Sequence, residues 1–157
     1  GHRHIAFASP NIKDGGVLQE RFLGYKAALA EASIPFDKSI VFQQEMDIES
    51  CKLVCEDIVK HPEITGMVVS ADIMAAGIMA VLRSKGIRIP DDISIVGFDD
   101  ISLAQLVTPP LTTIHQDMNL KGRLAVDFML QLDGKPLDTR DISLPTRLIE
   151  RDSVRAL

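Results

Sequence analysis

The sequence predicts an α/β domain: a parallel, doubly wound sheet with helices on both faces, which makes a Rossmann-like three-layer sandwich. Segments with strand and helix character alternate along the chain, and short polar turns separate them. The chain has 157 residues, of which 46% are hydrophobic and 25% are charged, as one domain with its own core requires. Because this alternation favours right-handed crossovers, neighbouring strands are expected to run parallel.

Each element is predicted from its own residue pattern. Short apolar runs bounded by turn residues indicate strands, and apolar stripes at helical spacing indicate helices. Asp47 and Asp72 each directly precede a predicted helix, where an aspartate caps free backbone N–H groups. The predicted order is strand 5–8, helix 18–32, strand 39–42, helix 48–59, strand 66–69, helix 73–85, strand 93–98, a helix from about 120 to 132 and a final strand 142–149. The polar segment 133–141 is the best candidate for a boundary.

Charge and cysteine content limit the function classes. Seventeen Lys and Arg stand against 22 Asp and Glu, a formal charge of -5, so this segment is a poor candidate for direct contact with DNA. No run is long and apolar enough to predict a membrane span. Cys51 and Cys55 share one helix face, where a disulfide is geometrically awkward and two thiols alone make a poor metal site. We therefore expect free, inert thiols, and no metal or cofactor.

Asp99 is the strongest candidate for a ligand-binding residue, because the apolar strand 93–98 stops on it and a carboxylate there needs a partner. The carboxyl ends of parallel strands meet at one edge of a sheet, so polar residues that follow the strands form a rim that suits a hydroxyl-rich or amide-bearing ligand. The other rim residues are Ser9, Gln43, and Ser70 with Asp72. Turn chemistry explains Ser9 equally well, and helix capping explains Asp72 equally well.

Arg21 is the second candidate. It lies early in a predicted helix, where the helix dipole does not favour a cation. Its guanidinium could reach over the cleft and donate paired hydrogen bonds to a ligand. The alternative is a surface salt bridge with Glu20 or another acid.

Patterns typical of enzymes are missing from the sequence. Gly15-Gly16 lacks the spacing of a phosphate-binding loop, and the four histidines make no metal-binding pattern on one helix. Asp99 and Asp100 are adjacent on a strand and therefore point to opposite faces, which makes them a poor acid/base pair. We expect that the chain is not an enzyme.

The predicted helix 73–85 is apolar on every side up to Leu82, although the solvent-exposed face of a surface helix should carry polar residues. Its small residues Ala76, Gly77 and Ala80 would allow a partner to approach closely. A self-complementary dimer contact explains this pattern. The alternative is that another part of the same chain covers the helix.

Several segments, in order and spacing, resemble the carboxyl-terminal half of LacI/GalR-family transcription regulators over nearly the whole chain. They are Gly1–Ala6, Arg21–Tyr25, Asp72–Gly77, Pro90–Asp99, Pro110–Ile114 and Arg147–Ser153. The resemblance implies one lobe of a periplasmic-binding-protein-like clamshell that holds a small effector, here a sugar or sugar derivative. It also implies a cytoplasmic, homodimeric, DNA-binding repressor without a membrane segment, in which operator DNA is bound by an upstream helix-turn-helix absent from this chain.

By this resemblance, residues 1–116 form the carboxyl-terminal lobe, 117–142 cross to an amino-terminal lobe missing from this chain, and 143–157 return as a strand. The helix around Leu124 and Phe128 would then lack its partner.

The resemblance assigns effector contacts to Arg21 and Asp99, in agreement with the residue patterns. Met46 stands where family members often have an aromatic residue that stacks on the effector, and Ala71 where they often have an asparagine. The helix with Ala76 and Ala80, and the loop around Val107, match the family's dimer surface. The rival reading is an exported sugar-binding protein for transport or chemotaxis, which shares the clamshell.

Overall fold

The computed structural model describes residues 1–13, 15–131 and 142–157. The strands are β1 (Ile5–Ser9), β2 (Val41–Gln43), β3 (Gly66–Val69), β4 (Ser94–Asp99), β5 (Thr112–Gln116) and β6 (Thr146–Ile149). The helices are α1 (Val17–Glu31), α2 (Ile48–Lys60), α3 (Asp72–Ser84), the short α4 (Leu103–Leu106) and α5 (Met118–Gln131).

One sheet of six strands has the order β2-β1-β3-β4-β5-β6. The first five strands are parallel, and β6 pairs antiparallel with β5. The predicted doubly wound α/β sheet is thus confirmed, but it is mixed at one edge. In the β5–β6 register Gln116 pairs with Thr146, so β6 starts beside the carboxyl end of β5 and runs back along it.

Helices cover both faces of this sheet, as the side chains of β1 show. Phe7 packs in a cluster with Tyr25 and Leu29 of α1. Its neighbours Ala6 and Ala8 belong to the larger core cluster, which contains residues of α2 and α3. Because successive strand residues point to opposite faces, α1 lies on one face and α2 and α3 lie on the other. The sheet therefore forms the middle layer of three, with α1 above it and α2 and α3 below it.

The element boundaries differ from the sequence prediction in a few places. Residues Lys38–Ile40 form a 3-10 turn instead of the start of a strand, because the Asp37 carboxylate accepts a hydrogen bond from the Ser39 backbone N–H at 2.8 Å. The final strand covers Thr146–Ile149, not 142–149. The predicted boundary 133–141 and the predicted end of the preceding helix lie outside the described residues.

The sequence prediction contains neither α4 nor β5. Thr112, Thr113 and His115 give β5 a polar composition that hides a buried strand. Both threonine hydroxyls are bonded inside the protein: Thr113 donates to Asp72, and Thr112 accepts from the Arg151 backbone N–H. Their polarity is thus compatible with burial, since each has a partner.

Of the two predicted helix caps, the structure confirms Asp47 but not Asp72. Asp47 caps α2, and its carboxylate accepts from the Ser50 N–H at 2.8 Å. Asp72 does not cap α3, because it is the first helical residue and Ala71 occupies the N-cap position. The carboxylate of Asp72 instead points into the protein.

Both cysteines are buried and free, as predicted. They lie on the face of α2 that packs against α3, where a Cβ added to Gly77 would lie 2.7 Å from the Cys51 sulfur. Burial, and then the neighbouring Cys51, raise the pKa of the Cys55 thiol to about 12. The thiols therefore act as small apolar groups in a tight helix–helix contact.

Candidate functional site

Arg21 and Asp99, the two strongest sequence candidates, are partners of each other. Arg21 on α1 donates from Nη2 to Oδ1 of Asp99 at the end of β4, at 3.2 Å. The side chains are 15% and 24% exposed, so the pair lies just beneath the surface at the carboxyl edge of the sheet. The acid that pairs with Arg21 is therefore Asp99 and not Glu20.

Two further contacts fix the Arg21 guanidinium. Its Nη1 donates to the backbone oxygen of Ser70 at the end of β3. Its plane lies over the Phe98 ring, with Cζ 3.7 Å from the ring centroid. A guanidinium that stacks and donates in two directions loses little freedom when a ligand binds. The Nε of Arg21 and the hydroxyl of Ser70 are buried without a hydrogen-bond partner among the described residues.

Gln116 is a site residue that the sequence analysis did not find. Gln116 is the last residue of β5, and its Nε2 donates a hydrogen bond of 2.6 Å to Oδ1 of Asp99. Gln116 and Ile114 are two residues apart, and both line a cavity of about 580 Å³ beside Arg21. Recognition of β5 as a strand would have placed Gln116 at the same edge as Asp99. We refer to Arg21, Asp99 and Gln116 as the rim cluster.

The rim cluster leaves part of the Asp99 carboxylate available. Arg21 and Gln116 both donate to Oδ1. Among the described residues, Oδ2 receives no hydrogen bond. A carboxylate oxygen of this kind, beside a cation and an amide, can accept a hydrogen bond from a hydroxyl or N–H group of a small molecule.

Asp100 points away from the rim cluster, as expected for the residue next to Asp99. Its Oδ1 accepts from Nη2 of Arg151 at 2.6 Å, and its Oδ2 lies 2.8 Å from Nδ1 of His115. Burial disfavours the charged carboxylate, but the hydrogen bonds from Arg151 and His115 outweigh it and lower the pKa of Asp100. Asp100 thus ties the end of β4 to the carboxyl-terminal segment and to β5.

The backbone at this point adopts an unusual conformation. Asp99 has φ 118° and Asp100 has φ 54°. Residues with a side chain rarely adopt positive φ, and each such residue costs about 1–3 kcal/mol unless the surroundings hold it. The side-chain contacts of Asp99 and Asp100 help to hold this turn.

Ser9 and Asp72 have no exposed surface. The Ser9 hydroxyl donates to the Pro10 oxygen at 2.8 Å, and Asp72 is bonded to Thr113 and to the Ile101 amide. Neither side chain can contact a ligand in this conformation. Ala71, at the start of α3, is also buried. Met46 lies between β2 and α2 with 52% of its surface exposed.

The expected dimer residues come from α3 and from the end of α4. Ala80 is exposed, and Ala76 and Val107 are half-buried. Ile73 and Leu106 leave 50% and 77% of their surface exposed. These five residues are called the α3 ridge. The remaining faces of α3 pack against the sheet, α2 and α4, so the chain itself covers much of this apolar helix.

The described ranges 1–13, 15–131 and 142–157 contain neither a metal-ligand cluster nor a membrane-spanning helix. No group of three or more His, Cys, Asp or Glu side chains there could hold a metal ion. None of the helices in these ranges combines the length and the apolar character needed to cross a membrane.

The sequence of this chain matches a known protein family. Residues 1–154 match the family described as the periplasmic binding protein-like domain. The chain belongs to this family. A doubly wound lobe with polar residues at the carboxyl edge of its sheet agrees with that assignment.

Similar proteins narrow the assignment. The chain is 35% identical over 159 residues to the HTH-type transcriptional repressor PurR of Vibrio atlanticus (strain LGP32), covering all of this chain and 47% of the relative. It is 35% identical over 159 residues to the ribose operon repressor of Haemophilus influenzae, covering all of this chain and 48% of the relative.

Among solved structures, it superposes with a TM-score of 0.90 and 28% identity on a LacI family transcriptional regulator from Enterococcus faecium with bound ribose. That match covers 100% of this chain and 58% of the other. The resemblance to LacI-family regulators that the sequence motifs indicated is thereby confirmed. The chain spans about half the length of the curated relatives that it matches.

Proposed function

We propose that this chain is the effector-sensing and dimerisation part of a LacI/GalR-type DNA-binding transcription regulator. Its ligand is a small polar molecule, a sugar or sugar derivative. The observation that carries the proposal is the rim cluster: a cation, a carboxylate and an amide held together at the carboxyl edge of the sheet. The ribose named for two of the similar proteins supports a carbohydrate ligand.

In this proposal Arg21 and Asp99 contact the effector directly. Asp99 accepts a hydroxyl proton at Oδ2, and Arg21 both orients Asp99 and donates to the ligand. Met46 and Ala71 also belong to the proposed site: the exposed thioether of Met46 offers an apolar contact, and the small, buried Ala71 lies at the start of α3. The buried side chains of Ser9 and Asp72 make no direct contact with the effector in this proposal.

The proposed protein is a cytoplasmic homodimer that binds operator DNA through a helix-turn-helix upstream of this segment. The α3 ridge, with Ala76, Ala80 and Val107, forms the contact between the two copies. Exposed Leu106 and Ile73 beside small residues support this use, since such apolar surface gains free energy when a partner covers it.

The proposed lobe arrangement divides the chain at 1–116, 117–142 and 143–157. The first and last parts belong to the carboxyl-terminal lobe, and the middle part crosses to an amino-terminal lobe outside this chain. The exposed side chains of Val126, Met129 and Leu130 on α5 support a missing neighbour. An effector held between two lobes shifts their closure only if it binds the closed form more tightly than the open form, and this shift controls operator binding.

The gene sequence on both sides of these 157 codons is the first test. We expect a helix-turn-helix and a second α/β lobe upstream. A secretory signal peptide there would instead support an exported sugar-binding protein for transport or chemotaxis. In the complete protein, titration calorimetry with D-ribose should give heat in the wild type and at least about tenfold weaker binding in Asp99→Ala and Arg21→Ala.

Sedimentation of the same variants should show an unchanged dimer. Ribose binding of wild-type strength in both variants would contradict the assignment of the rim cluster. Turnover of the ligand would contradict the expectation that the chain is not an enzyme.

A further inference from the structure

The Asp72 carboxylate links three separate parts of the fold. Its Oδ1 accepts from the Thr113 hydroxyl of β5 at 2.6 Å. Its Oδ2 accepts from the Ile101 backbone N–H at 3.0 Å. The side chain is fully buried, and both of its oxygens have donors. Asp72 therefore joins the start of α3 and the middle of β5 to the residue that directly follows Asp99 and Asp100.

The neighbouring strand leaves room for this carboxylate. At Gly97 on β4 an added Cβ would overlap Oδ1 of Asp72 and would lie 2.8 Å from Cδ2 of Leu111. The carboxylate thus occupies the space that any larger residue at position 97 would need. Burial raises the pKa of Asp72, and the hydrogen bonds from Thr113 and Ile101 oppose that rise. Placing an acid here has a cost, which the contacts it makes must offset.

Asp72 contacts the far end of the turn that carries Asp99. Asp99 and Asp100 have positive φ, and the Asp100 carboxylate is anchored by Arg151 and His115. A hydrogen bond to the Ile101 amide fixes the far end of the same turn. We propose that Asp72 is a positioning residue for the ligand site: its carboxylate holds the turn that aims Asp99 at Arg21 and at the ligand.

This inference rests on the proposed function, because it concerns the same site. It differs from the sequence expectation, in which Asp72 either touches the effector or caps a helix. Here Asp72 acts only through the backbone of residues 99–101. Removing its acceptors should release the turn, and a variant that keeps them should not.

Three variants of the chain test this. Asp72→Ala removes both acceptors. Asp72→Asn is the conservative variant, because its oxygen can accept from the Ile101 N–H while its NH₂ donates to the Thr113 oxygen. Thr113→Val removes one hydrogen bond to the same carboxylate but leaves the Ile101 contact intact, and so serves as the matched control for lost stability.

Amide hydrogen exchange followed by NMR is the decisive measurement. In Asp72→Ala we expect the Ile101 amide to exchange roughly 100-fold faster, while amides of β3 change by less than about tenfold. In Asp72→Asn and Thr113→Val the Ile101 amide should stay within about threefold of the wild type after correction for global stability. Unchanged protection at Ile101 in Asp72→Ala, or an equal loss throughout β3, overturns the proposal.

If Asp72→Ala does not fold, the wild type and Thr113→Val decide. An Ile101 amide that exchanges as fast as an unstructured one in both folded proteins overturns the proposal, and protection in both supports it. A D-ribose titration separates this inference from the proposed function. We expect at least about tenfold weaker binding in Asp72→Ala and rescue in Asp72→Asn. Absence of ribose binding in the wild type would count against the proposed ligand, while hydrogen exchange still decides the role of Asp72.

Discussion

Replacing Asp99 by asparagine should separate the stability of the rim cluster from its ligand chemistry. The Asp99→Asn variant keeps an oxygen that can accept from Arg21 and Gln116, which now bond to Oδ1 at 3.2 and 2.6 Å. Asparagine also tolerates the positive φ of 118° at this position. The variant loses the negative charge, and an NH₂ donor replaces the Oδ2 acceptor that faces the ligand in the proposed site. Asp99→Ala removes the acceptor as well. Alanine also tolerates the positive φ at this position less well than aspartate or asparagine, because it has no polar side chain that can bond to the local backbone.

The structure sets the size of each effect. A hydrogen bond to a charged group is worth about 1.5–3 kcal/mol, and a neutral one about 0.5–1.5 kcal/mol, so losing the charge costs about 1 kcal/mol. The Asp99 side chain is partly exposed, so solvent screens its charge and keeps this loss of stability small. Asp99→Ala loses both hydrogen bonds and leaves the Arg21 guanidinium without an anion, which costs about 3–4 kcal/mol.

Urea unfolding, followed by circular dichroism, measures these differences. With a slope of about 2 kcal/mol/M, the midpoint should fall by about 0.5 M for Asp99→Asn and by about 1.5–2 M for Asp99→Ala. Ribose affinity in the complete protein should fall by about tenfold or more in both variants. Equal midpoints for Asp99→Asn and Asp99→Ala would refute the argument that the retained oxygen holds Arg21 and Gln116.

Three further predictions concern the packing and the charges around the site. Gly77→Ala should lower the unfolding free energy by about 1 kcal/mol, because the added methyl meets the Cys51 sulfur at 2.7 Å and the cost exceeds the gain in helix propensity. In a Cys51→Ala background the same change should be neutral or stabilising, and a cost in both backgrounds would rule out this contact as the cause. The buried thiols of Cys51 and Cys55 should not react with Ellman's reagent at pH 8 in the folded protein and should both react in urea, since burial raises the pKa of each thiol. The pKa of Asp100 is lower when folded, so its stabilisation is present above about pH 4, the unfolded pKa, and is lost as pH falls through the folded pKa. Arg151→Met should therefore reduce stability at pH 7 and flatten its decline below pH 4, as measured by urea unfolding at each pH, and an unchanged decline would contradict this role for Arg151.

Arg21 and Asp99, two of the three residues of the rim cluster, were singled out from the sequence because they have distinctive local contexts. An aspartate that ends a buried strand needs a partner, and an arginine early in a helix lies where the helix dipole does not favour a cation. That Arg21 and Asp99 bond to each other could not be predicted, since 78 residues separate them and only the sheet order brings α1 to the end of β4.

The two clearest misses have one physical cause. The strand β5 was not predicted because its threonines and histidine look like a loop, yet in the fold each finds a partner on another element. Without β5, Gln116 had no position at the edge of the sheet. Likewise Asp72 has the sequence signature of a helix cap, but its donors, Thr113 and Ile101, lie 41 and 29 residues away.

The sequence by itself determined the fold class, the alternation of strands and helices, the buried thiols and the resemblance to LacI-family regulators, because periodicity and turn residues are local properties of a chain. Only the tertiary structure decided which polar residues are exposed and which are buried and paired. It made Arg21, Asp99 and Gln116 one cluster at the rim and buried the side chains of Ser9 and Asp72. Hydrogen bonds between distant residues depend on strand order and register, and no local pattern contains those.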